Sequence, residues 1–448
     1  MRSALASRAL GGVLLVLSAG GLTACSGSTP PAPAAAVSSG AARGSGSAQA
    51  VSPAPTSSSG PELGAVPRAP ATPADPALRL AALLGQHSVL VSDLMRARIR
   101  GDSDLAQAAN AALGQNTQAL AEVLQPAVDA AALRVFGKLW AEHILSLFDY
   151  ARGHSIHDQA VRDHAREESV EYEGELAEFF VTGSHGRLDA VTARAAVHEH
   201  AQHLLHDADA YAAGRYATAA AGYRESFSHT YALGAELARS LMPASVSGVL
   251  DTPAVRLRSE LTRLLDEHAA LVMAMTRAAA GDPADFAAMG EALNANTLDL
   301  TGAVDALFGV LPARRFESLW ADQVDQLAAY TSAAVKKDAA GRNQARAALE
   351  SFQSTMAAFL ADVTSNRLTT AAMAQVLAGH EARLLAEIDA YAAGSFASAY
   401  TLSEQVHGAT YALAGQLAEG IGPTVAARLP RGGSDTGGGG TARGAGTQ

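Results

Sequence analysis

The chain has 448 residues, a formal charge of −11, 17% charged and 5% aromatic residues, and one cysteine. An acidic chain so sparse in charge lacks the concentrated basic surface that a phosphate backbone demands, so no nucleic-acid partner is expected. A lone cysteine closes no internal disulfide, which leaves stability to the packing of an alanine-rich body long enough for substantial cores.

At the start, Arg2 and Arg8 precede an apolar run, residues 11–17, that is too short to span a bilayer. Leu22-Thr23-Ala24-Cys25 follows. This arrangement resembles the lipobox signal of bacterial lipoproteins, and the resemblance covers residues 1–25 alone. It implies removal of residues 1–24 as a signal peptide and lipidation of Cys25. The lipid bilayer is then a partner through acylated Cys25, with the chain anchored at the extracytoplasmic face of the cell membrane. Losing residues 1–24 removes two arginines and no acid, which turns −11 into −13.

Residues 25–75 are rich in Ser, Ala and Pro, as in Ser28-Thr29-Pro30-Pro31-Ala32-Pro33. They cannot form a core and are expected to be a disordered linker. The tail 430–448, with Gly437-Gly438-Gly439-Gly440, is expected to be disordered too.

Between them the body repeats itself at a period near 180 residues. Asp209-Ala210-Tyr211-Ala212-Ala213-Gly214 recurs unchanged as Asp389-Ala390-Tyr391-Ala392-Ala393-Gly394, Leu139-Trp140-Ala141 as Leu319-Trp320-Ala321, and Thr230-Tyr231-Ala232-Leu233 as Thr410-Tyr411-Ala412-Leu413. Two homologous domains are expected, 76–245 and 255–422, jointed near Pro243, Gly248 and Pro253. A fainter repeat lies within each. In the first, Gln86-His87, Glu142-His143 and Glu199-His200 each lead into an apolar stretch closed by Gly101, Gly153 or Gly214. Leu80, Leu84, His87, Val91 and Leu94 share one helical face, as do Phe136, Leu139, His143 and Leu147. The expected fold class is all-α, a tandem of helical bundles with about six antiparallel helices each, arranged as three hairpins. In the first domain the helices are predicted at 77–100, 103–125, 130–152, 156–182, 188–212 and 215–241.

The apolar stripes carry an anomaly. His87, His143 and His200 hold equivalent places in the three hairpins and fall on the buried faces, where an imidazole is costly unless it is bonded or ligates something. Asn116 lies on the inner face of the second helix, and His229 is close to that of the sixth. One explanation is a polar layer that fixes helix register, drawing on Asn116, Glu142, Glu199, Trp140 and Tyr231. Another is a copper or zinc site with His87, His143 and His200 as ligands, His229 or Glu199 completing it, and acidic neighbours orienting the rings. A pocket for an organic ligand is a third. In the second domain the counterparts are His268, Asn296, Gln323 and His380; His229 becomes Ala409, and His407 is placed to compensate in part. His198, His203 and His206 read as solvated residues, with weak metal binding at the surface as the alternative, and the glutamates of the fourth helix read as a solvated acidic face, with partner docking as its alternative.

Enzyme signatures are missing: no Gly-x-Ser-x-Gly elbow, no phosphate-binding loop and no His-Glu-x-x-His zinc helix occur in the chain. The sequence therefore points to a non-enzymatic, lipid-anchored module that binds a small ligand or an envelope protein. The alternative is a copper- or zinc-binding protein with its site in the first domain.

Overall fold

The computed structural model describes residues 71–428 and Leu63, with the side chains of 425–428 excepted. Residues 1–62, 64–70 and 429–448 lie outside the described residues, and with them the expected signal peptide, Cys25, most of the expected linker and the expected tail.

The described residues form thirteen helices. The first bundle holds α1 (Asp75–Arg100), α2 (Ser103–Leu124), α3 (Ala130–Ser155), α4 (Gln159–Gly183), α5 (Ala190–Ala212) and α6 (Tyr216–Leu241). A single turn, α7 (Ala244–Ser247), occupies the joint. The second bundle holds α8 (Pro253–Ala279), α9 (Pro283–Phe308), α10 (Val310–Val335), α11 (Ala339–Val363), α12 (Thr370–Ala392) and α13 (Phe396–Arg428). Among the described residues no helix is long and apolar enough to cross a membrane.

Local chemistry sets the helix ends. The side chains of Asp102, Asp129, Asp158 and Asp189 each accept from backbone N–H groups in the first turn of the helix that follows. Asp282, Asp338 and Thr369 do the same in the second bundle. Gly101 and Gly214 close α1 and the α5–α6 turn with φ of 76° and 67°, the left-handed conformation that glycine adopts without strain. Gly153 does not end α3 as expected. It lies inside that helix because Arg162 of α4 crosses it: an added Cβ would meet the Arg162 Cγ at 2.5 Å, and Nη1 donates to the Gly153 carbonyl at 2.9 Å. The turn comes four residues later at His157, with φ of 55°.

Consecutive helices pack along each other within each bundle, and α1 also lies along α6 and α3, as α8 does along α13 and α10. Leu84, Leu113, Phe136, Trp140, Phe180 and Leu204 belong to the first core; Leu271, Leu293, Phe316, Trp320, Phe359 and Leu384 belong to the second. Each such side chain contributes about 1.5–3 kcal/mol by leaving water. The repeated Asp209 and Asp389 explain why their motif recurs. Asp209 accepts from the Tyr150 hydroxyl at 2.6 Å, tying α5 to α3, and Asp389 accepts from Tyr330 at 2.9 Å, tying α12 to α10.

The two bundles meet reciprocally: α2 on α13, α6 on α9, and α1 against α8. These are repeat-equivalent helices, so the pattern is that of a twofold relation between the copies. Ion pairs seal the contact, Arg277 with Asp93 at 2.6 Å, Arg258 with Asp75 at 2.8 Å and Arg224 with Glu267 at 2.7 Å.

Candidate metal centre

The first helix of each pair in the first bundle supplies one histidine: His87 from α1, His143 from α3 and His200 from α5. Their apolar neighbours at three- and four-residue spacing turn all three inward, and they are 0%, 0% and 3% exposed. The rings converge. Their centroids form a near-equilateral triangle with sides of 5.6, 5.7 and 5.3 Å, and one ring nitrogen of each lies within 4.8 Å of the other two.

Hydrogen bonding assigns the His200 tautomer. The Thr230 hydroxyl donates to the Ser226 carbonyl at 2.7 Å, so its oxygen accepts from the His200 Nδ1 at 2.9 Å. That places the proton on Nδ1 and leaves the Nε2 lone pair facing His143, whose own Nε2 is 3.3 Å away. The same spacing of about 3.3 Å separates two nitrogens bound tetrahedrally at about 2.0–2.1 Å from one ion. The His143 Nδ1 and both nitrogens of His87 have no hydrogen-bond partner. Trp140 packs 4.5 Å from His87, and Tyr172 stacks on His143 at 4.7 Å with planes 13° apart.

Burial keeps the triangle neutral. It lowers His143 to about 3, and burial and then the neighbouring imidazoles hold His87 and His200 well below the ordinary histidine value. Each neutral imidazole in this dry core keeps one lone pair that an ion can take.

Other expected participants fall elsewhere. Glu142 is exposed and pairs with Lys138 at 3.4 Å, so it orients none of the rings. Tyr231 points its hydroxyl across the bundle contact to the Ser259 carbonyl at 3.0 Å. Asn116 donates to the Leu83 carbonyl at 2.9 Å, one helical turn from His87, as its counterpart Asn296 donates to Leu264 at 3.1 Å. His229 does not complete the triangle; it joins Glu199 and His203 in a second cluster nearer solvent. An open cleft of about 770 Å³ between α3 and α4, lined by Val128, Val135, Leu139 and Phe179, does not include the three rings.

The second bundle holds no such triangle among the described residues. His268, Gln323 and His380 are buried, and Gln323 donates to a buried carboxylate, Glu381, at the position of Ala201. His407 does not compensate for the missing imidazole. It bonds Asp266, and although burial opposes its charge, that carboxylate holds it above the ordinary histidine value.

Sequence reasoning missed Thr230, Tyr172 and Glu173. Thr230 was legible within the repeated Thr-Tyr-Ala-Leu motif. Glu173 was read with the acidic face of α4, yet it is buried and its Oε2 bonds the His198 Nδ1 at 2.7 Å. No family model, curated protein or solved structure matches the chain.

Proposed function

We propose that this chain is a non-enzymatic metal-binding protein, a tandem of three-hairpin domains whose first copy holds one copper(I) ion between His87, His143 and His200. The observation that carries the reading is the convergence of three buried, neutral imidazoles on one point.

The choice of ion follows from charge and solvent. Structural zinc takes four ligands and catalytic zinc keeps a water, whereas these rings, at 0–3% exposure, meet no solvent. Copper(I) is content with three ligands. The cost of burying an ion also rises with the square of its charge, and no carboxylate touches the triangle to offset a second positive charge. Imidazole suits copper in either case. With Cys25 lipidated, the ion is carried at the extracytoplasmic face of a membrane, for storage, sensing or delivery.

Copper(I) titration of the untagged full chain against a chromophoric chelator tests this. One equivalent is retained by the native chain and none by His143→Gln, which places in the first bundle the residue the second carries at Gln323, with helical content measured alongside. Equal retention by both overturns the ligand role of His143.

A further inference from the structure

Glu199 and His203 lie one turn apart on α5, and His229 faces them from α6. The Glu199 Oε1 is 3.8 Å from the His203 Nε2 and 3.8 Å from the His229 Nδ1. Both separations are too long for hydrogen bonds. They surround a point accessible to one ion, and all three ligand atoms lie within 4.8 Å of one another. The His229 Nε2 is 3.2 Å from the Ala196 carbonyl, which can only accept, so that nitrogen carries the proton. The Nδ1 lone pair is thereby aimed at the cluster. A backbone carbonyl that fixes the far nitrogen is how metal-bound histidines are commonly oriented.

The setting is the opposite of the buried triangle. Glu199 is 62% exposed at its side chain, while His203 and His229 are at 24% and 19%. A carboxylate supplies charge, and water can fill the remaining positions. Two histidines, one glutamate and an open position form a donor set used by divalent zinc. Rotation of the exposed carboxylate and of the His203 ring closes the 3.8 Å edges to the roughly 3.3 Å that such an ion requires.

The geometry assigns a second metal site to Glu199, His203 and His229, one that takes a divalent cation of the zinc class at the surface of the first bundle. It shares α5 and α6 with His200 and Thr230, yet it fills and empties without opening the core. The second bundle is the internal control: the three positions there are Gly379, Arg383 and Ala409, which cannot make this site.

Zinc binding by untagged full-length chains, measured by equilibrium dialysis, tests the assignment. The His143→Gln background removes the buried triangle, so the result is separate from the fate of the copper reading. That variant is expected to hold one zinc. Adding His203→Arg and His229→Ala, the residues the second bundle carries, is expected to abolish binding with the helical content unchanged. Cobalt(II) in the first variant should show the visible bands of a four- or five-coordinate ion, and lose them in the second. No zinc in the His143→Gln chain overturns the proposal, and so does one equivalent retained after both further substitutions. If the triple variant loses helical content, Glu199→Gln replaces it: undiminished zinc affinity there overturns the proposal as well.

Discussion

The two bundles place the same helices around different centres, and the differences come in matched pairs. Where α1 and α6 face each other, the first bundle sets Gly85 against Phe227, with an added Cβ only 3.0 Å from the ring. The second bundle sets Asp266 against His407 at those positions and joins them by a hydrogen bond. Where α3 faces α5, the first bundle has His143 beside the small Ala201, and the second has Gln323 bonded to Glu381. In these two places the polar side chains of the second copy bond each other. The three imidazoles of the first copy share a single such bond outside their own cluster, from His200 to Thr230. An unsatisfied buried imidazole is expensive, and a site that tolerates several needs something else to bind them. His268 in the second bundle is equally without a partner at both ring nitrogens, so what separates the copies is the meeting of three imidazoles in the first, which has no counterpart among the described residues of the second.

The most demanding way to break the comparison is to convert the second bundle. Gln323→His with Glu381→Ala restores the first bundle's residues beside His268 and His380, and copper(I) capacity is expected to rise from one to two equivalents per chain. Capacity that stays at one would show that residue identity alone does not separate the centres.

Acid sharpens the contrast next. Burial lowers His268 to about 3, and burial followed by Arg383 lowers His380 to about 4. Between those values and about 6.5 the unfolded chain binds more protons than the folded one. Stability therefore falls as pH falls, by about 1.4 kcal/mol per pH unit for each such histidine. His407 works in the opposite sense: its raised value stabilises fully below about 6.5 and the contribution fades as pH climbs through the folded value. Denaturation midpoints measured between pH 7 and about 4 should fall less steeply in His268→Gln than in the native chain; parallel slopes would contradict the burial argument.

A smaller effect tests the spacing of α1 and α6. A Cβ at Gly234 would sit 2.6 Å from the Ala81 Cα, and Gly234→Ala is expected to cost about 1–3 kcal/mol through forced separation of the helices. The counterpart is already alanine, Ala414, so Ala414→Gly should cost less than about 1 kcal/mol. Thermal melts of the two variants give the comparison directly. Smallest are the caps: Asp102→Ala and Asp282→Ala should each cost about 1 kcal/mol, nearly alike in the two copies. A marked inequality in those melts would mean that the caps carry more than local helix ends.

Helix positions were legible because their signals are local. Leu80, Leu84, Val91 and Leu94 mark a face by spacing alone. Gly153 misled because a glycine that ends a helix and one that admits a crossing arginine look alike in one dimension. The inward direction of His87, His143 and His200 was readable from the same spacing. Their meeting at one point was not, since it depends on the rotation and height of three helices, which packing decides. His229 shows the limit: a residue near the inner face of α6 turns toward Glu199 and His203 rather than the triangle. Glu381 was hidden differently, as a buried acid on α12 whose meaning appears only beside Gln323.

X-ray absorption at the copper edge of the copper(I)-loaded chain tests the central claim most directly. Three nitrogen neighbours at about 2.0 Å, with imidazole outer-shell scattering and no sulfur, are expected for an ion held by His87, His143 and His200. A sulfur shell, or a two-nitrogen site unchanged in His143→Gln, would contradict it.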